Sequence, residues 1–564
     1  MKQQFVVIGI DDSPEPFFPP QVREAIRAGR VFSGGTRHQA IVRHLLPEGA
    51  EWIPVTAPID TAIRHYEQVF HSMEAKPTPV EPTSVDTTIR RSEQTFRSRD
   101  AEPRPAEPGS AEPGLAEPMP AEPGPIVVFA SGDPLFFGLA NTLRRRMPEA
   151  DIRLFPAFNS LQTLAHRLVM RYDDLRTVSL TGRPWPELDR ALIERAPKIG
   201  VLTDRQHTPA AIARRLLDYG YTAYYVYVGE HLGHPDRERV RRLSLTEAAV
   251  STFDLPNCLI LHAEHADGTP CPLPPRPFGI ADQAFALLDG RTRMITKAPI
   301  RLLTLQAMEL GRRHVLWDVG FCTGSVSIEA RLQFPHLTVA AFEVRPEGEQ
   351  LIRTNARRFG APGITALIGD FLQMHLTTGD DRAVAQTGDH AVVRDGDHTL
   401  RAKGGDVPQT NSGDAPQAAG DGTVQFVAHV VGDAGLTRET IRLPRPDAVF
   451  IGGHGGRLAE MVERVSRVLL PGGCVVFNSV SAESQATFAQ AATACGLTLL
   501  PSMRVALNDY NPIEIMKAER PSTDARSTAD LTSTASTSST ADLPPTADLP
   551  PTASTPFDCE CPLH

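Results

Sequence analysis

Short, nearly pure apolar runs alternate with amphipathic stretches along this chain, and the alternation starts afresh after a proline-rich break at 264–278. Runs of this length, bounded by Gly, Pro, Asp or Ser, read as buried strands, and the stretches between them as helices. Before the break the runs fall at 5–10, 31–32, 126–130, 154–156, 177–180, 199–202 and 223–228, with a helix expected around 20–28. After it they fall at 315–318, 339–343, 365–368, 448–451 and 474–478. Strands alternating with helices specify an α/β architecture, and the restart specifies two domains.

Proline marks what lies outside those domains. The 564 residues include 50 prolines, unevenly spread: 101–125 is an Ala-Glu-Pro unit repeated five times, and 540–551 repeats Thr-Ala-Asp-Leu-Pro-Pro. Such segments bury too little apolar surface to offset chain entropy. They define a low-complexity insertion at 72–124 and a disordered tail at 521–564. A second insertion, 377–443, is rich in Gly, Asp and Thr and contains one apolar run, 424–431, suited to a short hairpin. The expected plan is a first domain over 1–263, a linker over 264–278 and a second domain over 279–520. Without the insertions these are roughly 210 and 175 residues, ordinary domain sizes.

The charge balance narrows the function classes. With a net charge of −10 and a pI near 6.0, the chain is expected to bind no nucleic acid, which rewards clustered cations. The densest basic stretch, 237–242, alternates with acids and reads as a solvated helix face. No apolar run approaches the roughly 20 residues that cross a bilayer, and the N-terminus lacks the apolar core of a signal peptide. Seven scattered cysteines make no disulfide framework. No metal site is expected, since Cys559, Cys561 and His564 offer only two thiolates in a tail. The expectation is a cytoplasmic protein acting without a membrane.

The segment Asp318-Val319-Gly320-Phe321-Cys322-Thr323-Gly324 follows a strand and opens a helix. Glycines let the chain turn tightly and let ligand atoms reach the backbone, while the helix start offers free N–H groups to an anion. The spacing is not the G-x-G-x-x-G of dinucleotide sites, which argues against a nicotinamide-dependent oxidoreductase. Glu343 ends the next strand, nineteen residues after Gly324, where an acid can accept both ribose hydroxyls. Asp370, at the end of the third strand, can accept from an adenine amino group.

Four blocks in order carry a resemblance: MITKAPIRLLTL (294–305), WDVGFCTGSVSIEA (317–330), PDAVFIGGHGG (446–456) and LLPGGCVVFNSV (469–480). They resemble the C-terminal domain of precorrin-6Y methyltransferases over most of 279–517 outside the insertion. The resemblance implies a class I, Rossmann-like fold that binds S-adenosylmethionine (SAM) at the glycine turn. It also implies methylation of a corrin precursor with loss of the ring-C acetate as carbon dioxide. Residue by residue, it puts Gly320, Thr323, Gly324 and Glu343 against SAM, and Thr296 and Asn478 near the reacting groups. His454, in the Gly-Gly-x-Gly-Gly loop, either lines the pocket or faces water. Cys322 replaces a glycine usual in the family and needs a permissive backbone angle.

In the first domain, Ser131-Gly132-Asp133-Pro134 follows a buried strand, a common turn on its own. Its company is Gly34-Gly35-Thr36-Arg37-His38 and the segments 156–162, 179–184, 202–204 and 228–233. Together these resemble the tetrapyrrole methylases, which hold SAM in a cleft between two α/β lobes by loops at strand ends. The resemblance implies that Gly132, Asp133 and Pro134 form part of the SAM loop, with Ser160 nearby. Arg37 and His38 are candidates either for substrate carboxylates or for a structural salt bridge. One departure stands out: Gly9-Ile10-Asp11-Asp12-Ser13-Pro14 replaces most of a glycine-rich loop after the first strand. Both halves, in this order, resemble the fused decarboxylating precorrin-6Y methyltransferases that act at C-5 and C-15. That implies one SAM per domain, a tetrapyrrole substrate and a homo-oligomer. The alternative is methylation of RNA or protein, which the first fold also serves.

Overall fold

The computed structural model describes residues 3–56, 59–74, 124–276, 278–378, 393–394, 423–432, 435–507 and 512–522. The Ala-Glu-Pro repeats up to residue 123 and the Cys559, Cys561 and His564 tail lie outside the described residues.

The first sheet holds β1 (Gln4–Ile10), β2 (Val31–Gly34), β3 (Glu51–Pro54), β4 (Ile126–Ser131) and β5 (Asp151–Phe155), in the order β3-β2-β4-β1-β5. Every neighbouring pair is parallel. A parallel sheet is covered on both faces, so its strands read as continuous apolar runs; every residue of β1 after Gln4 is buried. The helix Pro20–Ala28 forms where the sequence places it, with proline at its first turn.

The second sheet holds β6 (Arg176–Ser179), β7 (Lys198–Leu202), β8 (Tyr224–Glu230), β9 (Arg239–Ser244) and β10 (Asn257–Ala263), ordered β6-β7-β10-β8-β9. Here the basic stretch corrects the sequence reading. It is no helix face: 239–244 is an edge strand antiparallel to β8. Its arginines are paired, Arg241 with buried Glu230 at 3.0 Å and Arg242 with buried Glu264 at 2.7 Å, and charged edges resist further strand pairing.

The third sheet contains β11 (Val315–Val319), β12 (Thr338–Glu343), β13 (Ile364–Ile368), β14 (His375–Thr378), β15 (Val393–Arg394), β16 (Thr423–Gly432), β17 (Gly435–Pro444), β18 (Ala448–Ile451), β19 (Cys474–Ser479), β20 (Thr498–Leu499), β21 (Met503–Val505) and β22 (Ile513–Glu519). Its centre, β13-β12-β11-β18-β19, is parallel, and β22 pairs antiparallel with β19. The stretch 377–443, read as an insertion, supplies more than a short hairpin. β16 and β17 pair along their whole length, β16 lies antiparallel against β13, and Val424, Phe426 and Ile441 join the main core.

The two halves touch. Tyr221 donates through its hydroxyl to Gly360 O at 2.7 Å, and Arg276 from the linker donates to Ile193 O at 3.0 Å and Phe359 O at 2.8 Å. Among the described residues no helix is long and apolar enough to cross a membrane.

Candidate functional sites

Ligands of open parallel sheets bind beyond the carboxyl ends of the strands. In the third sheet, five adjacent carboxyl ends carry the candidates. Gly320 follows β11, Glu343 ends β12, Asp370 follows β13, His454 follows β18 and Asn478 lies in β19.

The turn after β11 is built by close contacts. Gly320 has φ +80°, and a Cβ there would lie 2.6 Å from the backbone of Gly453. Gly324 has φ +74°, and a Cβ there would meet Ile352 Cδ1 at 2.0 Å. Cys322 takes φ +51°, a left-handed angle rare for a residue with a side chain. Its N–H donates to Glu343 Oε2 at 2.8 Å, so the strained residue ties the turn to the acid on β12. Asn355 donates to Thr323 O at 2.9 Å and fixes the turn from the helix Gly348–Phe359.

Two polar atoms in this turn are buried without a hydrogen-bond partner among the described residues: Asp318 Oδ1 and Thr323 Oγ1. Leaving such an atom unpaired costs about 1–3 kcal/mol, which is sensible where a ligand supplies the partner. The other Asp318 oxygen accepts from Ser327 N at 3.1 Å and Ser327 Oγ at 2.5 Å. Burial pushes the Asp318 carboxyl up to about 7, against the opposing Ser327 hydrogen bonds. Sequence reading included Asp318 in the turn without a role; its place at the end of a buried apolar strand was the available signal.

Glu343 is differently placed. Its carboxylate is buried and accepts from Cys322 N, from Arg345 N at 3.0 Å and from Arg345 Nε at 2.9 Å. For Glu343 to accept a ribose hydroxyl, Arg345 has to release it. Asp370 is bridged by Arg457 at 2.9 Å, from the end of the His454 loop. His454 is half-buried, its ring edge-on to Phe477 with centroids 5.7 Å apart. Asn478 donates to Thr304 Oγ1 at 2.9 Å, while that hydroxyl donates to Ile300 O at 2.7 Å. Thr296 offers its carbonyl to Arg301 at 2.8 Å, and Arg301 is fully buried against Glu329 at 3.2 Å. The helix Ala298–Met308 therefore holds both Thr296 and Asn478, through Arg301 and Thr304. Neither of those two carried a sequence signal, because each looks like an ordinary face residue of an apolar helix.

In the first sheet the candidates again follow carboxyl ends. Gly132 has φ +57°, donates to Ile10 O at 2.8 Å, and would collide through a Cβ with Asn159 Cα at 2.7 Å. Gly9 is equally constrained, since its Cβ would lie 1.8 Å from Gly132 O. Asp133 turns its carboxylate onto Leu135 N at 2.8 Å, and Pro134 follows in the loop. Ser160 opens the helix Ser160–Arg167, capped by Asn159, and its hydroxyl hydrogen-bonds Cys258. Arg37 Nη1 donates to Asp12 at 2.7 Å and Arg37 Nη2 to Ser131 Oγ at 2.8 Å. His38 lies 3.0 Å from the same hydroxyl; burial and the Arg37 charge hold its imidazole down to about 4, hence neutral.

The two halves match two different groups of known proteins. Residues 19–249 match the tetrapyrrole (corrin/porphyrin) methylases, and residues 288–384 and 414–527 match a precorrin methyltransferase domain. The chain thus resembles both families, one after the other. A precorrin-6Y C(5,15)-methyltransferase [decarboxylating] of Sinorhizobium sp is 28% identical over 398 residues, 71% of this chain and 78% of that protein. Its counterpart from Mycobacterium tuberculosis is 30% identical over 41% of this chain and 56% of its own length. A cobalt-precorrin-6B C(15)-methyltransferase (decarboxylating) of Salmonella typhimurium is 46% identical over 15% of this chain and 43% of its own. Among solved structures, the C-terminal domain of precorrin-6Y C5,15-methyltransferase from Rhodobacter capsulatus aligns at 25% identity. It covers 43% of this chain and 97% of that one, with a TM-score of 0.25. The precorrin methyltransferase match resumes at 414 and so takes in β16 and β17.

Proposed function

We propose that this tetrapyrrole methylase joined to a precorrin methyltransferase methylates a corrin precursor at C-5 and C-15, using SAM, and removes the ring-C acetate as carbon dioxide. The observation that carries the reading is the pairing of two sites on different folds in one chain, each beyond the carboxyl ends of parallel strands. The relatives named for both reactions support it.

SAM supplies a methyl group on an electrophilic sulfonium. In the second domain Asp318, Thr323 and Glu343 are fitted to hold it, the first two through atoms otherwise left unpaired. Asn355 and Ile352 keep the turn in shape. Asn478, locked by Thr304, and Thr296, locked by Arg301, orient the substrate. His454 packs against Phe477 and limits water. In the first domain the loop Gly132, Asp133 and Pro134, with Ser160, is fitted for a second SAM, and Arg37 and His38 face the substrate side. The tetrapyrrole brings its own nucleophilic carbons, so positioning carries most of the acceleration. In the decarboxylation the carbon–carbon bond to the carboxylate breaks, its electron pair enters the conjugated macrocycle, and a proton replaces carbon dioxide.

The test is incubation of the full chain with labelled SAM and precorrin-6B, with and without cobalt. Two methyl groups and one carbon dioxide per substrate are expected. Transfer of none, with or without cobalt, would contradict the reading.

A further inference from the structure

Between the first domain's two sheets, two loops meet. Asp12 follows β1 of the first sheet and His231 follows β8 of the second. His231 Nδ1 lies 3.0 Å from Asp12 Oδ2. Arg37 Nη1 donates to the other oxygen, Oδ1, at 2.7 Å. Arg237 Nη2 lies 2.7 Å from His231 Nε2. An arginine can only donate, so Nε2 accepts and the ring proton sits on Nδ1, pointing at Asp12. Two basic side chains, from two separate segments, thus meet on one carboxylate that the chain itself supplies, and Arg237, on the same loop as His231, stands behind the histidine.

The surroundings suit an exchange of that carboxylate. The Asp12 and His231 side chains are 10% and 4% exposed, so water cannot compete for these bonds. Arg37 keeps 34% of its side-chain surface and Arg237 is exposed, so both guanidinium groups are reachable from outside. His231, Arg237 and Arg239 face Glu230, Asp236, Glu238 and Asp254 around a cavity of about 270 Å³, so the basic groups there too are balanced by carboxylates of the chain itself. His231 has φ +48°, a left-handed angle whose cost, about 1–3 kcal/mol, is typical of functional positions. Gly233 has φ +95°, and a Cβ there would lie 3.1 Å from Asp11 Oδ2, so the second-sheet loop lies tight on the Asp11-Asp12 turn. A bridge serving stability alone needs neither a strained histidine nor an exposed arginine behind it.

We propose that Arg37 and His231, the latter held by Arg237 behind it, form a carboxylate-binding subsite of the first domain, with Asp12 as its built-in counter-ion, displaced by a carboxylate arm of the incoming tetrapyrrole. The proposal rests on the reading of this domain as a tetrapyrrole methylase. It also gives Asp12 a role where a glycine-rich loop was expected: its carboxylate holds Arg37 and His231 together until a ligand carboxylate takes its place. Displacement exchanges one carboxylate for another, so no bond is made or broken and no proton is transferred.

The test is direct binding of uroporphyrin, a tetrapyrrole polycarboxylate, to the full chain by fluorescence titration. Asp12→Asn is expected to tighten binding about fivefold and Arg237→Met to weaken it about fivefold, the effect of one partly exposed charge. SAM affinity stays unchanged in both. Any uroporphyrin held by the second domain is the same in all variants, so the differences report the first. Asp12→Glu keeps the charge across the lobes and is expected to bind as the wild type. Unchanged or weaker binding by Asp12→Asn, or tighter binding by Asp12→Glu, overturns the proposal. The readout is binding, so it decides the subsite even where methyl transfer to precorrin-6B fails and the functional reading falls.

Discussion

The two candidate sites stand beyond the same ends of parallel strands but are finished differently. In the second domain the turn after β11 keeps two buried polar atoms unpaired, Asp318 Oδ1 and Thr323 Oγ1. In the first domain the candidates already have partners: Arg37 and His231 on Asp12, Asp133 on Leu135 N, His38 beside Ser131. A site with orphaned atoms is preformed and gains directly on binding. A site that has satisfied itself must first give up internal bonds. The second domain is therefore expected to bind SAM with no more than the release of Glu343 by Arg345, and the first to bind its anionic ligand by exchange.

The comparison breaks most visibly at the glycines. Gly324→Ala places a Cβ against Ile352 at an unfavourable φ; strain of about 1–2 kcal/mol plus the clash is expected to abolish SAM binding in the second domain. Calorimetric titration checks this, and the first domain's binding is expected to persist. Glu343→Ala comes next, weakening SAM affinity there roughly tenfold to a hundredfold, since hydrogen bonds to charged groups are worth about 1.5–3 kcal/mol.

Asp318 predicts a pH dependence with a definite sign. Its carboxyl titrates near 7 without ligand, so it is protonated below that pH. A cationic cofactor favours the carboxylate, so SAM affinity in the second domain rises with pH and levels off above 7. Between pH 6 and pH 8 the gain is roughly tenfold, and Asp318→Asn is expected to flatten it. The same raised pKa means that the folded state holds this proton longer than the unfolded chain. Its contribution to stability is thus lost as pH rises from about 4 to 7. The smallest effect belongs to Thr304→Val. Freeing the Asn478 amide costs about 1 kcal/mol, read as a fewfold lower kcat for the decarboxylating methylation at unchanged SAM affinity.

Legibility followed chain distance. Buried strands such as 315–318 announce themselves, because a parallel strand covered on both faces is apolar throughout. Glu343 was readable because strand, turn, helix and strand fix its spacing from Gly324. Arg301 and Glu329 were not, since they meet across two elements 28 residues apart and neither departs from a helical pattern. The 237–242 stretch was misread because helix and edge strand both alternate charge with other residues, and only the partner β8 decides between them. Asp12 was seen only as a departure from the family's loop. Its meaning appeared once His231, 219 residues away, came to rest on it.

The central claim is two separate SAM sites on two unrelated folds. Titration of the full chain with SAM measures it directly. The account predicts two equivalents for the wild type and one for Gly324→Ala, with the remaining site lost in Gly132→Val, where a side chain would strike Asn159. One equivalent for the wild type, or loss of both sites in Gly324→Ala while the fold persists, would contradict it.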